Sequence, residues 1–528
     1  MAESPVDVEA LDLDGLRRLV FQLLETVAGL KAENATLREE IARLKGLKGP
    51  PSIKPSGMEK ASEAKPAVAG GKRRRRGKTL SKLVITEQRT LGVGFPPGSR
   101  FKGYESYVVQ DLMLRARVIR FRRARWLTPA GKTILAPLPA GVTGHFGPEL
   151  RRFVLALCHQ GQVTVPRILA QLHDLGIAIS KRQVVRLLVA GQDDFLAENR
   201  AVLRAGLETA AWISVDDTGA RHKGRNGVCT QIGNDRFAWF ATTYSKSRLN
   251  FLALLRAGHG DYVINQAALD YMRRRNLAGP VIERLAAAET KLFADQATWR
   301  AHLVDLAITE TKVHPDPVKI ATEGALIGSV VAHGLLADAV ILSDDAGQFN
   351  VGRHALCWVH AERLIHKLTG FTDRHRQALQ RIRARVWWLY ADLKAYCRDP
   401  TPRRKRQLEA RFERIFTTTT GFVTLDRLLA RLHANKAELL VALDRPDVPL
   451  NTNGSENDIR CQVIRRKISG GTRSDHGRDC RDAFLGLLKT CQKLGIPFWQ
   501  YLGDRLAVPG APAVAYLPDR VSQQATPA

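Results

Sequence analysis

With 528 residues, 45% of them hydrophobic, the chain is long enough for several cores and too apolar for a disordered polymer, so a multidomain globular protein is expected. Its 81 Lys and Arg against 52 Asp and Glu leave a formal net charge of +29, which suits a polyanion such as nucleic acid, with ribosome or membrane-surface binding as readings from charge alone. Seven cysteines with no CxxC pair argue against a disulfide scaffold or a cysteine zinc finger. The acidic start lacks the pattern of a signal peptide and there is no apolar run of spanning length, so a cytoplasmic protein without membrane contact is expected.

In residues 1–48, Leu16, Leu23, Leu30, Leu37 and Leu44 fall seven apart, while Leu13, Val20, Val27, Asn34 and Ile41 fill the second seam position. This heptad pattern predicts a leucine-zipper coiled coil. β-Branched residues at a with leucine at d favour a parallel homodimer, and a buried Asn34 fixes its register. The bland alternative is one amphipathic helix packed on the body. Residues 49–80 turn to Pro, Gly, Ser, Lys and Ala and end in a basic run containing Arg73, Arg74, Arg75 and Arg76. They read as a flexible linker with a phosphate-binding cluster, against the alternative of a solvated charge run. A basic-zipper factor carries its basic helix immediately before the leucines; here the basic run follows them, which argues against that class.

Residues 81–140 alternate short β-like runs, such as SYVVQDLMLRARVIRF, with turns such as TPAGK, and predict a small Arg-rich β module. Residues 141–205 predict helices, two of them flanking a turn at Gly176 and Ile177. The second opens with Ser180, Lys181, Arg182 and Gln183, a helix-turn-helix pattern in which Lys181 and Arg182 would face DNA; any αα-hairpin gives a similar pattern. Residues 206–505 read as an α/β body. AWISVDDTG, RNGVCTQIGN and DRFAWFATTYS look like strands, ADAVILSDD returns to strand, and helical insertions are expected at about 261–335 and 366–445. The Pro-, Ala- and Gln-rich stretch 506–528 reads as a disordered tail.

Two of these strands break off into acid, at Asp216 with Asp217 and at Asp344 with Asp345, and a third acid, Glu456, follows a polar turn. Singly, each strand-end carboxylate is as well explained as a helix cap or turn residue. Together, on a basic scaffold, they point to a site for Mg²⁺ or Mn²⁺, two ions acting on a phosphodiester, because hard oxygen ligands suit such ions. The working expectation is a DNA strand-cutting and strand-joining enzyme. Arg460, Arg465, Arg466 and Lys467 follow the glutamate and are candidate backbone contacts, with a solvated basic face as the alternative. Trp358 either stacks on a base or fills the core, and His360 either orients a phosphate or caps a helix.

These motifs resemble those of the IS66-type transposases, of the DDE class. VDDTG is similar to the family's first-aspartate motif and SDDAGQFN to its second, so the resemblance implies Asp216 and Asp344 as metal ligands, with Asp217 and Asp345 beside them. CWVHAER resembles the family's Cys-Trp-x-His-Ala-x-Arg stretch, which carries over Cys357, Trp358, His360 and Arg363 as residues near the site. NGSENDIR matches the turn whose glutamate is the third ligand, here Glu456 with Asn453. The resemblance implies a ribonuclease H-like mixed sheet core with helical insertions, preceded by the coiled coil, a zinc-ribbon-like β module and the helix-turn-helix-like domain. It further implies strand cleavage and transfer on double-stranded DNA, both transposon ends and target, possible accessory proteins of the same element, and a bacterial, nucleoid-associated location. Family members often carry a cysteine-rich zinc module after the coiled coil; its cysteines are missing here, so no structural zinc is expected. The stretch between Asp216 and Asp344 is also wider than in compact members, and Asn457 stands where an arginine is common. Two other readings fit the motifs: a zipper-dimerised regulator with a non-catalytic body, and a ribonuclease H-like nuclease that cuts without joining.

Overall fold

The computed structural model describes Asp14, Val20 and residues 84–139, 144–312 and 315–523. The zipper leucines, Asn34 and the basic run Arg73, Arg74, Arg75 and Arg76 lie outside the described residues. The chain divides into two compact units, Met1–Leu112 and Met113–Ala528.

In the first unit, residues 84–112 are exposed and form no helix or strand. In the second, residues 113–124 do the same, and the expected β module reduces to one hairpin, β1 (Arg125–Leu127) and β2 (Thr133–Leu135), with Trp126 opposite Ile134. The TPAGK turn closes it, with Gly131 at φ +75 donating its amide to the Thr128 carbonyl. The alternation of β-branched and basic residues that predicts further strands offers one apolar face, and nothing in the described residues covers it: Tyr107 and Val118 are both more than nine-tenths exposed. Strands without a partner sheet or a packed face do not persist.

Four helices follow: α1 (Pro148–His159), α2 (Val165–Asp174), α3 (Lys181–Val189) and α4 (Asp193–Thr209). Gly176, at φ +77, turns the chain after α2. Ser180 starts α3 with a reciprocal capping box, its hydroxyl accepting the Gln183 amide while the Gln183 side chain accepts the Ser180 amide. Val184 and Leu188 face inward and Lys181 and Arg182 face solvent. The apolar faces of these helices do not close on themselves. Val154, Leu155, Ile168, Leu172 and Val184 belong to the same core as Ile213 and Val215 of the sheet. Residues 141–205 are therefore packed into the body, whereas the sequence separates them as a domain of their own.

The central sheet has five strands in the order β5 (Ala238–Thr243), β4 (Arg225–Gly233), β3 (Trp212–His222), β8 (Val340–Ser343), β9 (Arg353–Leu356). β3, β4 and β5 are an antiparallel meander, while β8 and β9 run parallel to β3. The fold is thus mixed α/β. β8 reads VILS and is buried throughout, as a strand covered on both faces should be. Between β5 and β8 lie α5 (Arg248–Leu255), the short pair β6 (Tyr262–Val263) and β7 (Leu292–Phe293), and helices α6 (Gln266–Arg274), α7 (Gly279–Ala287), α8 (Gln296–Asp305) and α9 (Pro317–Ala332). This insertion shares the main core through Trp299, Leu326 and Val330.

After β9, helices α10 (Trp358–His366), α11 (Asp373–Arg398), α12 (Pro402–Phe416), α13 (Val423–Ala434) and α14 (Lys436–Leu439) build a second core around Ile382, Leu389, Phe412 and Leu429. The chain then returns to the sheet with α15 (Asn453–Ser469), which packs on β3, and α16 (Asp475–Lys493), which packs on β5. α17 (Phe498–Arg505) and α18 (Leu517–Ser522) complete the body. The stretch from residue 506 onward is read from composition as disordered, and up to residue 523 that is incorrect: Leu517 and Val521 are buried against α4. Glu198 of α4 holds the segment by accepting the Leu517 amide at 3.1 Å. No helix among the described residues is long and apolar enough to cross a membrane.

Candidate active site

β3 and β8 are adjacent and parallel, and Ser214 lies opposite Leu342. Two residues further along each strand, this register brings Asp216 level with Asp344. α15 crosses β3 and carries Glu456 in its first turn. Elements more than a hundred residues apart in sequence thereby bring three carboxylates to one place. The Asp216 carboxyl records it: burial, joined by the charges of Asp344, Asp217 and Glu456, pushes its pKa from 3.8 up to about 6, against the opposing hydrogen bond from the Asp217 amide at 2.7 Å.

Within each acidic pair the two carboxylates have different surroundings. Asp217 accepts from Lys246 Nζ and from Gln348 Nε2, both at 2.8 Å, and so joins the meander to the loop after β8. Asp345 is paired with Arg431 of the helical insertion. Asp344 accepts the Ala346 amide at 3.1 Å in a tight turn. Glu456 has three basic neighbours at longer range, His360 at 3.6 Å, Arg363 at 3.7 Å and Arg460 at 4.0 Å, and Arg363 also lies 3.2 Å from His360 Nε2. Its Oε1 is buried and has no hydrogen-bond partner among the described residues. The outer neighbours of the pairs, Lys246, Gln348 and Arg431, are not singled out by the sequence; each becomes visible only when the loops meet.

Cys357 precedes α10, and its sulfur accepts the Thr452 amide at 3.4 Å. Burial raises this thiol, but hydrogen bonding to His360 and Thr452 outweighs it and leaves the group below its ordinary value. The same contact with Cys357 holds the His360 imidazole above its ordinary value, against burial, so the ring is biased toward the cation beside Glu456. Trp358 does not reach the site: it is 1% exposed, donates its Nε1 to the Leu439 carbonyl at 2.8 Å and packs on Phe412 and Phe416. Of the two roles the sequence allows it, the core role is the one observed. Asn453 opens α15 exposed, its amide donated to the Asn451 side chain.

The basic residues of α15 also divide. Arg460 and Lys467 are exposed. Arg465 turns inward, with Nη1 3.2 Å from His159 Nδ1 and Nη2 3.3 Å from Cys158 Sγ, and ties α15 to α1. Arg466 donates to the Gly219 carbonyl and ties α15 to β3. The last two are committed to the protein's own structure, which lowers their availability to a phosphate.

A basic α/β protein with an acidic centre at the middle of its sheet is the type found in enzymes that act on nucleic acid. Residues 331–479, a segment that includes Asp344, Cys357, His360 and Glu456, match the model of the transposase IS66 family. The chain belongs to that family. It is also 49% identical over 324 residues to the uncharacterized protein y4jO of Sinorhizobium fredii (strain NBRC 101917 / NGR234), an alignment covering 61% of this chain and all of that relative. Family membership makes the protein a transposase. Asp216 lies outside the matched segment and rests on the sheet register alone.

Proposed function

We propose that the protein is a DDE-type DNA transposase that binds transposon ends, cuts the strand and joins it to target DNA at a centre formed by Asp216, Asp344 and Glu456. The observation that carries this reading is the convergence of three carboxylates from β3, the end of β8 and α15, where burial first and the charges of the neighbouring acids second push Asp216 up to about 6. The strand order, with β3 at the centre of the sheet between an antiparallel meander and the parallel strands β8 and β9, supports a ribonuclease H-like core.

The donor set fits a pair of divalent cations such as Mg²⁺ or Mn²⁺. The ligands are carboxylate oxygens, Glu456 Oε1 is buried without a hydrogen-bond partner, and the mutual repulsion at Asp216 is what a bound cation would relieve. Asp216, Asp344 and Glu456 would hold the ions, which when bound supply Lewis-acid activation of water or a 3′-hydroxyl and stabilise the leaving oxygen. The chain's own residues do the rest. Asp217, through Lys246 and Gln348, ties β3 to the loops after β5 and β8, and Asp345 with Arg431 ties the end of β8 to the helical insertion. Arg363, Arg460 and the cation-biased His360 stand around Glu456 and would hold the scissile phosphate in place. Lys181 and Arg182, exposed at the start of α3, would contact the DNA ends, and the zipper would bring two copies together so that both ends are held at once.

Incubating the full chain with labelled DNA spanning the flanks of its own gene, with Mg²⁺ or Mn²⁺, beside Asp344→Asn tests this. Metal-dependent nicks and joined products at fixed positions, lost in the variant, are expected. Nicks without joined products would replace the transfer reaction by a nuclease. Binding without cleavage under either metal, in the presence of extract from a host carrying the element, would make this chain a DNA-binding regulator.

A further inference from the structure

We propose that His259, Asp261 and His333 form a second metal site, separate from the acidic centre, that takes Zn²⁺ and clamps the loop after α5 to the C-terminal end of α9. The three offer one ligand atom each, and these atoms all lie within 4.8 Å of one another. His333 Nε2 stands 3.1 and 3.0 Å from the two Asp261 oxygens. Tetrahedral Zn²⁺ bonds of about 2.0–2.2 Å place neighbouring ligand atoms about 3.3 Å apart, so this pair already stands near the separation a shared ion requires. The His259 ring lies over His333 with centroids 3.5 Å apart and planes within 11°. In-plane lone pairs on parallel rings do not meet, so metal binding would open this stack, turning the His259 ring until its nitrogen and that of His333 face a common ion.

The supporting shell is also present. Ser329 Oγ donates to Asp261 Oδ1 at 2.9 Å, and the largely buried Arg256 donates to the Asp261 backbone carbonyl at 2.7 Å. Ligating carboxylates are commonly fixed by such outer hydrogen bonds. The backbone makes an effort to deliver His259: Ala257 sits at φ +50 and Gly258 at φ +95, and a buried alanine in the left-handed region is an unfavourable conformation that the surrounding structure must maintain. The side chains of His333 and Asp261 are 31% and 17% exposed, leaving an open side for a water as fourth ligand.

The ligand chemistry distinguishes this site from the acidic centre. Two imidazoles and one carboxylate suit Zn²⁺ and its neighbours, whereas a set of carboxylates suits Mg²⁺. Position indicates its use. After α9 the chain passes from His333 through Leu336, whose amide donates to the Leu207 carbonyl, into β8, the strand that ends just before Asp344. A metal here would fix the connection that sets β8 in place. The sequence leads to no structural zinc because it offers no cysteine pair; His259 and His333 are far apart in the chain and carry no spacing signature beyond the short His-Gly-Asp run.

The test uses the full chain without an affinity tag, stripped with EDTA, exposed to Zn²⁺ in slight excess, desalted, and assayed for bound zinc and for thermal stability. About one zinc retained per chain is expected in the wild type and equally in Asp344→Asn, with a rise in melting temperature in both. His259→Ala should bind zinc at least about tenfold more weakly and lose the rise. Co²⁺ in place of Zn²⁺ should give a tetrahedral visible absorption that disappears in His259→Ala. Zinc retention unchanged in His259→Ala, or a wild type that retains none, would overturn the proposal. Asp261→Asn and His333→Ala should behave like His259→Ala; if either fails to fold, His259→Ala decides, because it leaves the Asp261–His333 hydrogen bonds in place.

Discussion

Glu198 and Glu456 are both largely withdrawn from solvent, and they are treated in opposite ways. Glu198 accepts from Tyr501 Oη at 2.9 Å, from Arg505 Nε and Nη2 at 2.9 Å each, and from the Leu517 amide at 3.1 Å. Glu456 has only basic side chains at 3.6 Å and beyond and leaves Oε1 without a hydrogen bond among the described residues. A carboxylate used for structure is saturated, because every unpaired lone pair in a low-dielectric interior is costly. A carboxylate kept for a ligand stays open, and the fold bears that cost until the ligand arrives. Asp216, raised to about 6 by burial and by its acidic neighbours, belongs with Glu456.

The contrast is broken most directly by removing charge while keeping shape. Glu456→Gln, on the reading of the site given above, should lower strand cleavage on the order of 10⁴-fold, about 5 kcal/mol in the barrier, with little change in folding, as judged by gel assay and circular dichroism. Glu198→Ala should do the reverse. It takes from Arg505 its buried partner, leaving it Asp504 and the Val514 and Ala515 carbonyls, loosens α18 and should cost about 3 kcal/mol in denaturant unfolding, while activity per folded molecule is retained. If Glu198→Ala is neutral to stability and Glu456→Gln unfolds the protein, the assignment of the two roles is inverted.

Asp216 sharpens the comparison through pH. Its folded-state pKa is raised above the unfolded 3.8, so the folded state holds the proton more tightly, and stability is lost as pH climbs from about 4 through about 6. That rise corresponds to about 3 kcal/mol at 1.36 kcal/mol per pKa unit. In EDTA, Asp216→Asn should therefore be more stable than wild type by up to about 3 kcal/mol at pH 8 and about equal to it at pH 4. Mg²⁺ should recover most of the difference for the wild type at pH 8. A gain independent of pH, measured by denaturant unfolding, would mean that charge burial is not its source.

The strands that carry this centre were legible because their physics is local. VILS is an apolar run that stops at acid, as a strand covered on both faces should, and WISV marks the buried start of β3; that strand, however, runs on through Asp216 and Asp217 to His222, so Asp216 lies within the strand and not at its end. The turn at Gly176 and the cap at Ser180 were legible for the same reason. What escaped is non-local. Arg465 and Arg466 look like free cations on a helix until α1 and β3 arrive beside them. Trp358 has two equal roles in sequence and one in the structure, where Phe412 and Phe416 surround it. The C-terminal stretch has a composition typical of disorder, and what orders it lies far upstream: Glu198, the core that buries Leu517 and Val521, and Arg236, which donates to the Arg520 carbonyl. The run around Tyr107 and Val118 errs the other way: its local pattern is that of strands, and no sheet among the described residues receives them.

The smallest expected effect falls between the two carboxylates, at Asp217. It resembles Glu198 in being paired, through Lys246 and Gln348, but Lys246 is 51% exposed. The hydrogen bond that Lys246 donates to Asp217 raises the ammonium pKa, with burial opposing, so the pair contributes stability below the ordinary lysine pKa and loses it as pH rises above that value. Solvent screening reduces that contribution to under about 1 kcal/mol. Lys246→Gln should therefore shift the denaturant midpoint only slightly at pH 7. Because the glutamine cannot neutralise Asp217, one more negative charge faces Asp216, and the midpoint of the Asp216 titration, followed by NMR in EDTA, should move up from about 6. An unmoved midpoint would show that Asp217 is electrostatically separate from the centre, so that the pairing of Asp217 with Lys246 is structural in the same sense as that of Glu198.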